Sequence, residues 1–196
     1  MRRISAENFL QQLASVLHAH PPPHPPGPAD WTLYMTMRFR DLAERVEAHL
    51  CSSTLGKLAG NDPQIHEPHE YLFDFTLFTD WMNYSLPAVI IEHENKWNEK
   101  AFMLDFWKLM LGHAPLRVMF GYASTAAGAD KLVTRLEQHA TDSAWAAPTD
   151  IEDLVLIGHG DMDYIDDWRV VLRRAVRWQV IATGLGRWLT GRRTEE

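Results

Sequence analysis

AVIIEHENKW, residues 88–97, runs from small and branched apolar residues straight into Glu92, His93, Glu94, Asn95 and Lys96. The apolar half reads as a buried strand, and strand alternation then sends Glu92, Glu94 and Lys96 to one face. Upstream, EYLFDFTLF (residues 70–78) is a second strand by its aromatic and branched content, with Asp74 in its middle. The polar TDWMNYS between them has the length of a turn, so the two strands are expected to pair antiparallel. A buried, unpaired charge at Asp74 costs several kcal/mol, which calls for compensation nearby. Placed beside Glu92, Glu94 and Lys96, it makes two or three carboxylates with one ammonium. Such a group repels itself unless a cation neutralises it, and Mg²⁺, which takes oxygen ligands and keeps waters, suits it.

Outward from this pair, NEKAFMLDFWKLMLGHA has the spacing of a helix with Phe102, Phe106, Leu109 and Met110 inward, ended near Gly112 and Pro115. LRVMFGYAS reads as a strand, GADKLVTRLEQHAT as a helix and EDLVLIGHG as a further strand. DWRVVLRRAVRWQVIATG fits either a helix or a twisted strand pair. Towards the N-terminus, SAENFLQQLASVLHAH is a short amphipathic helix with Ser5 as N-cap, and PPPHPPGPAD, with six of the eleven prolines, is a stiff linker. His18, His20 and His24 lie in or near that linker, where ligands lack a fixed geometry. From Asp30 to about Cys51, Met35, Phe39, Leu42, Val46 and Leu50 continue one stripe, which favours a single long helix. Residues 52–69 are rich in breakers and read as a loop. The expectation is one domain over 1–196: an N-terminal helix (1–19), a Pro-rich linker (20–30), a core (31–123) and a C-terminal elaboration (124–196). Its class is α/β, a sandwich with a central mixed sheet flanked by helices.

Composition narrows the function classes. With 46% hydrophobic residues the chain can bury a substantial core, which excludes disorder of the whole chain. Cys51 is the one cysteine, so no intrachain disulfide can form and cysteine-based metal sites are implausible; a reducing, cytoplasmic setting fits. No apolar run has the length of a membrane span, and the N-terminus lacks the apolar core of a signal peptide. The net charge of −7 argues against a protein that simply coats nucleic acid. Its distribution is uneven: Arg169, Arg173, Arg174, Arg177, Arg187, Arg192 and Arg193 fall in a window without a single acid. That segment could dock phosphates, with Arg173 and Arg174 as contacts, or pair with the acidic body of its own chain or a partner. Asp161, Asp163, Asp166 and Asp167 lack the glycine and terminal Glu of an EF-hand loop, and serine-hydrolase, phosphate-loop and dinucleotide signatures are absent. Trp81, Trp97 and Trp107 surround the acidic strand end in sequence and would suit a nucleobase or a partner surface, including a second copy of the chain.

Asp74 in one strand, VIIEHENK in the next, then a helix and a strand: over residues 30–123 this resembles the PD-(D/E)xK nuclease superfamily, whose core runs helix, three strands, helix, strand. The resemblance implies a restriction endonuclease-like fold and a metal-dependent phosphodiesterase acting on nucleic acid. It implies that Asp74 and the first acid of the E-x-K element bind Mg²⁺ or Mn²⁺, while the lysine orients or activates water. Two registers are open. Glu92-His93-Glu94 follows the apolar run directly and puts Glu94 where the lysine usually stands; Glu94-Asn95-Lys96 restores the lysine one step further out. Phe73 replaces the proline of the family pattern. Metal ligands are thus expected among Asp74, Glu92 and Glu94, with Lys96 as electrostatic stabiliser, Glu44 or Glu47 as an added acid and Lys108 as a phosphate contact. The alternative is the same fold without catalysis, serving binding, regulation or oligomerisation.

Overall fold

The computed structural model describes residues 3–21, 28–52, 73–80, 85–96, 98–141, 150–159, 168–174 and 177–182. Trp81, Trp97, the acidic run Asp161–Asp167, most of the breaker-rich loop and Arg187, Arg192 and Arg193 lie outside them. In chain order the elements are α1 (Ala6–Ala19), α2 (Pro28–Arg45), β1 (His49–Cys51), β2 (Phe75–Phe78), β3 (Val89–His93), α3 (Glu99–Met110), β4 (Leu116–Ala123), α4 (Ala126–Thr141), β5 (Glu152–His159), β6 (Arg169–Arg174) and β7 (Arg177–Ala182). The class is α/β, as expected. The strands form one mixed sheet in sequence order. β1, β2 and β3 are an antiparallel meander, β4 and β5 run parallel to β3, and β6 and β7 return antiparallel.

Two cores flank the sheet because its central strands are apolar on both faces. In β4, Leu116, Val118, Phe120 and Tyr122 point to one core, where α1 supplies Phe9, Leu10 and Leu13 and α2 supplies Trp31, Met35 and Phe39. Met119 and Ala123 point to the other, with Phe102, Phe106 and Leu109 of α3 and Leu132 and Leu136 of α4. The same alternation in β3 assigns Ile91 to the first core and Ile90 to the second. Glu92 therefore falls on the α3 face and His93 on the α2 face.

Helix ends follow local chemistry. Ser5 accepts from Asn8 N–H at 3.2 Å and caps α1, whose Ala6 N–H also donates to Glu152 Oε2 at 3.1 Å, tying the helix to the start of β5. Asn98 caps α3 by accepting from Lys100 N–H at 2.8 Å and Ala101 N–H at 3.4 Å. α3 lies close to β4 because residue 121 is glycine: a Cβ there would stand 2.3 Å from the Phe102 ring. That approach sets the height of α3 above the sheet, and with it the height of the side chains one turn beyond Phe102.

Several expectations are corrected. α2 starts at Pro28, inside the expected linker, where a proline in the first turn sacrifices no helical hydrogen bond. It ends at Arg45 rather than running to Cys51. Glu47 adopts φ 55°, and Ala48 N–H reaches Ala43 O while Glu47 N–H reaches Glu44 O, a Schellman closure that turns the chain into β1. β2 is shorter than EYLFDFTLF, and Asp74 sits in a bend immediately before it, not mid-strand. The ambiguous C-terminal stretch is a strand pair. No described helix is long and apolar enough to cross a membrane.

Candidate functional site

The acidic groups meet where β3 ends. The β2–β3 register pairs Phe75 with Ile91, so one step outward Asp74 stands across from Glu92. Asp74 Oδ2 accepts from His93 N–H at 2.9 Å, extending the ladder by one bond through a side chain. Glu92 is 1% exposed, and Lys108 Nζ of α3 lies 2.7 Å from its Oε1. Burial, with the Asp74 charge adding to it, pushes the Glu92 carboxyl up to about 8 against the pull of Lys108. Asp105, one turn before Lys108 on α3, joins from above. Burial and then the charges of Glu94 and Asp74 push it up to about 6, and its carboxyl is within hydrogen-bonding reach of Glu94. Glu94 Oε1 also accepts from Lys96 N–H at 2.7 Å.

Among the described residues, four carboxyl groups and one ammonium thus share the space between the end of β3 and α3. Asp74 stands near Glu92, while Glu94 meets Asp105, so the three expected ligands share the region without converging as three. The ammonium is not the expected one: Lys96 is exposed and enters through its backbone N–H, whereas Lys108, expected on a phosphate, sits on Glu92 and over the Phe73 ring at 5.9 Å. Asp105 is the residue sequence reasoning missed. Its signal was the helical i, i+3 spacing of Asp105 and Lys108, which places both on the flank facing the strand acids. Glu44 and Glu47 are exposed at the end of α2, on the opposite face of the sheet, and do not join.

The donor set is all oxygen, which fits Mg²⁺ or Mn²⁺ and not a soft ion. Among the described residues no three His, Cys, Asp or Glu side chains converge closely enough to hold a metal as they stand. The carboxylates are instead held two by two, Glu92 with Lys108 and Glu94 with Asp105. Glu92 Oε1 is fully buried, and the Lys108 ammonium is its charged neighbour.

His93 and Cys51 are poor candidates for catalysis. The His93 ring lies on the other face among Phe39, Phe75 and Phe120, with Nε2 at 2.8 Å from Tyr122 Oη, and burial pushes it down to about 3. It is a neutral core residue. Burial pushes the Cys51 thiol up to about 11, which removes the thiolate a nucleophile needs.

In the basic C-terminal segment, the described side chains of Arg169 and Arg173 pair with acids of the same chain. Arg173 is 2% exposed and bonds Asp153, which also accepts from Arg117 Nε at 2.6 Å. This corrects Arg173 as a nucleic-acid contact, because a guanidinium held in a buried ion triad does not reach a phosphate. The triad carries one excess positive charge, and Arg117 Nη1 donates to Met110 O at 3.0 Å, so the negative end of α3 helps to offset it. Arg169 Nε donates to Asp130 Oδ1 at 2.8 Å. Arg174 is in β6, opposite Glu152 and Arg177, and its side chain lies outside the described ones. No protein-family model, curated protein or solved structure matches this chain.

Proposed function

We propose that the protein is a metal-dependent phosphodiesterase acting on nucleic acid, a divergent member of the PD-(D/E)xK nucleases in a cytoplasmic setting. One observation carries this reading. Asp74, in the bend before β2, stands across from Glu92 at the carboxyl end of β3, where their mutual repulsion favours a cation. The element order α2, β1–β3, α3, β4 supports it, being helix, three strands, helix, strand. Asp74 and Glu92 would hold Mg²⁺ or Mn²⁺, with Glu94 as a further ligand or water-positioning group and Lys96 at the exposed rim as electrostatic stabiliser. The ion, when bound, would polarise the scissile phosphate and lower the pKa of the attacking water. Asp105 would position Glu94.

A second reading is an inactive nuclease-like module that binds, regulates or oligomerises. Lys108 already neutralises Glu92 and Asp153 consumes Arg173, both of which favour it. So does the exposed stripe Leu104, Trp107 and Leu111 on the outer side of α3, a surface that a second copy could cover. Incubation with single- and double-stranded DNA and RNA in Mg²⁺ or Mn²⁺ separates the two. The nuclease reading expects cleavage by the wild type, and Asp74→Asn to lower it by at least about a hundredfold, the loss typical of removing one electrostatic catalytic group, while nucleic-acid binding persists. Binding without cleavage in the wild type would select the module.

A further inference from the structure

We propose that the Lys108 ammonium occupies the cation position of the acidic cluster, and that a divalent ion binds by displacing it. This deepens the metal reading above and rests on it. Glu92 lies almost wholly out of solvent, so when ionised it needs a counter-charge at contact distance, and Lys108 Nζ at 2.7 Å is the ammonium that meets it. Glu92 Oε1 is buried and aimed into the cluster, and the Lys108 ammonium stands where a cation would meet it.

Lys108 is also built to leave. Its side chain is 29% exposed, it stands in the last turn of α3, and its four-carbon stem can carry the head outward without moving the backbone. The Phe73 ring, 5.9 Å from Nζ, lines its present seat. With Lys108 seated, the carboxylates are held in pairs, which accounts for the lack of a three-ligand arrangement among the described residues. Four carboxyls against one ammonium leave an excess of negative charge that a divalent ion neutralises better than a monovalent head. Lys108 is therefore a positioning residue: it keeps the metal-free cluster together and, once released, is free to face the substrate.

The test is Mn²⁺ titration of the full chain by calorimetry, comparing wild type with Lys108→Met, which keeps the stem and removes the charge, and with Lys108→Arg, which keeps the charge. Displacement predicts that Lys108→Met binds Mn²⁺ about tenfold tighter or more, since each tenfold is one lost competitor worth about 1.4 kcal/mol, and that Lys108→Arg does not. Equal or weaker binding by Lys108→Met, with the wild type still binding, overturns the displacement and leaves the metal reading intact. No binding by either folded protein sinks both. A second measurement uses the wild type alone: acylation of the Lys108 amine, read by mass spectrometry, should rise severalfold when Mg²⁺ is added. Unchanged labelling in a protein that binds Mg²⁺ overturns the proposal even if the Met variant fails to fold.

Discussion

His93 shows how one position divides labour between the two faces of a strand. Its neighbours Glu92 and Glu94 face α3, while its own ring is held neutral among aromatic rings, down at about 3 from an ordinary 6.5. A base with a lowered folded pKa contributes stability that is complete above pH 6.5 and is lost as pH falls towards 3, at about 1.4 kcal/mol per pH unit. Glu92 and Asp105 act with the opposite sign: carboxyls raised to about 8 and about 6 favour the fold at low pH and lose that contribution as pH rises. The wild-type profile is therefore a partial cancellation, and a variant isolates one side of it. His93→Gln can still bond Tyr122 but cannot titrate. Urea denaturation between pH 4 and 6 should show its stability depending on pH by about one proton less than the wild type's. An equal slope would mean that His93 is not a buried neutral base. At this scale Asp74 and Glu92 were legible, because an acid flanked by phenylalanines and a run of acids after VII are both anomalies of pattern. Asp105 and Arg173 were not. A charged residue in a helix or strand does not announce its partner, and Asp105 finds Glu94 only across the α3–β3 interface.

The elements were legible in proportion to their length. α1, α3, α4 and β3 to β5 carry strong periodicity and stop signals, and they stand within a few residues of the sequence reading. α2 overran, since Leu50 continues the stripe of Phe39, Leu42 and Val46, and no glycine or proline marks the turn. Glu47 makes that turn with φ 55°, a conformation costing a residue with a Cβ about 1 kcal/mol. Glu47→Gly should therefore stabilise the protein by about 0.5–1 kcal/mol in urea denaturation; destabilisation would show that the Glu side chain is worth more than the strain. β1, at three residues, is too short for periodicity to register and exists because β2 offers it an edge. The C-terminal pair β6–β7 read equally well as a helix, and the choice was made by the open edge of β5, which is tertiary information.

Across the whole molecule, charge is segregated under one helix. The C-terminal end of α3 lies over the Arg117–Asp153–Arg173 triad, at the start of β4 and β5, while the middle of α3 faces the carboxylates at the end of β3. The arginine-rich tail therefore does not by itself mark a nucleic-acid surface; where described, Arg169 and Arg173 balance acids of the same chain. The acidic cluster is different, being, among the described residues, an excess of like charge with a single ammonium to hold it. The proposed cation site of Asp74 and Glu92 is tested most directly by the melting temperature of wild type and Asp74→Asn in rising Mn²⁺. The wild type should gain stability with ligand excess, about 2.7 kcal/mol at a hundredfold excess over Kd, and Asp74→Asn should gain little. Equal gains in both proteins, or none in the wild type, would contradict it.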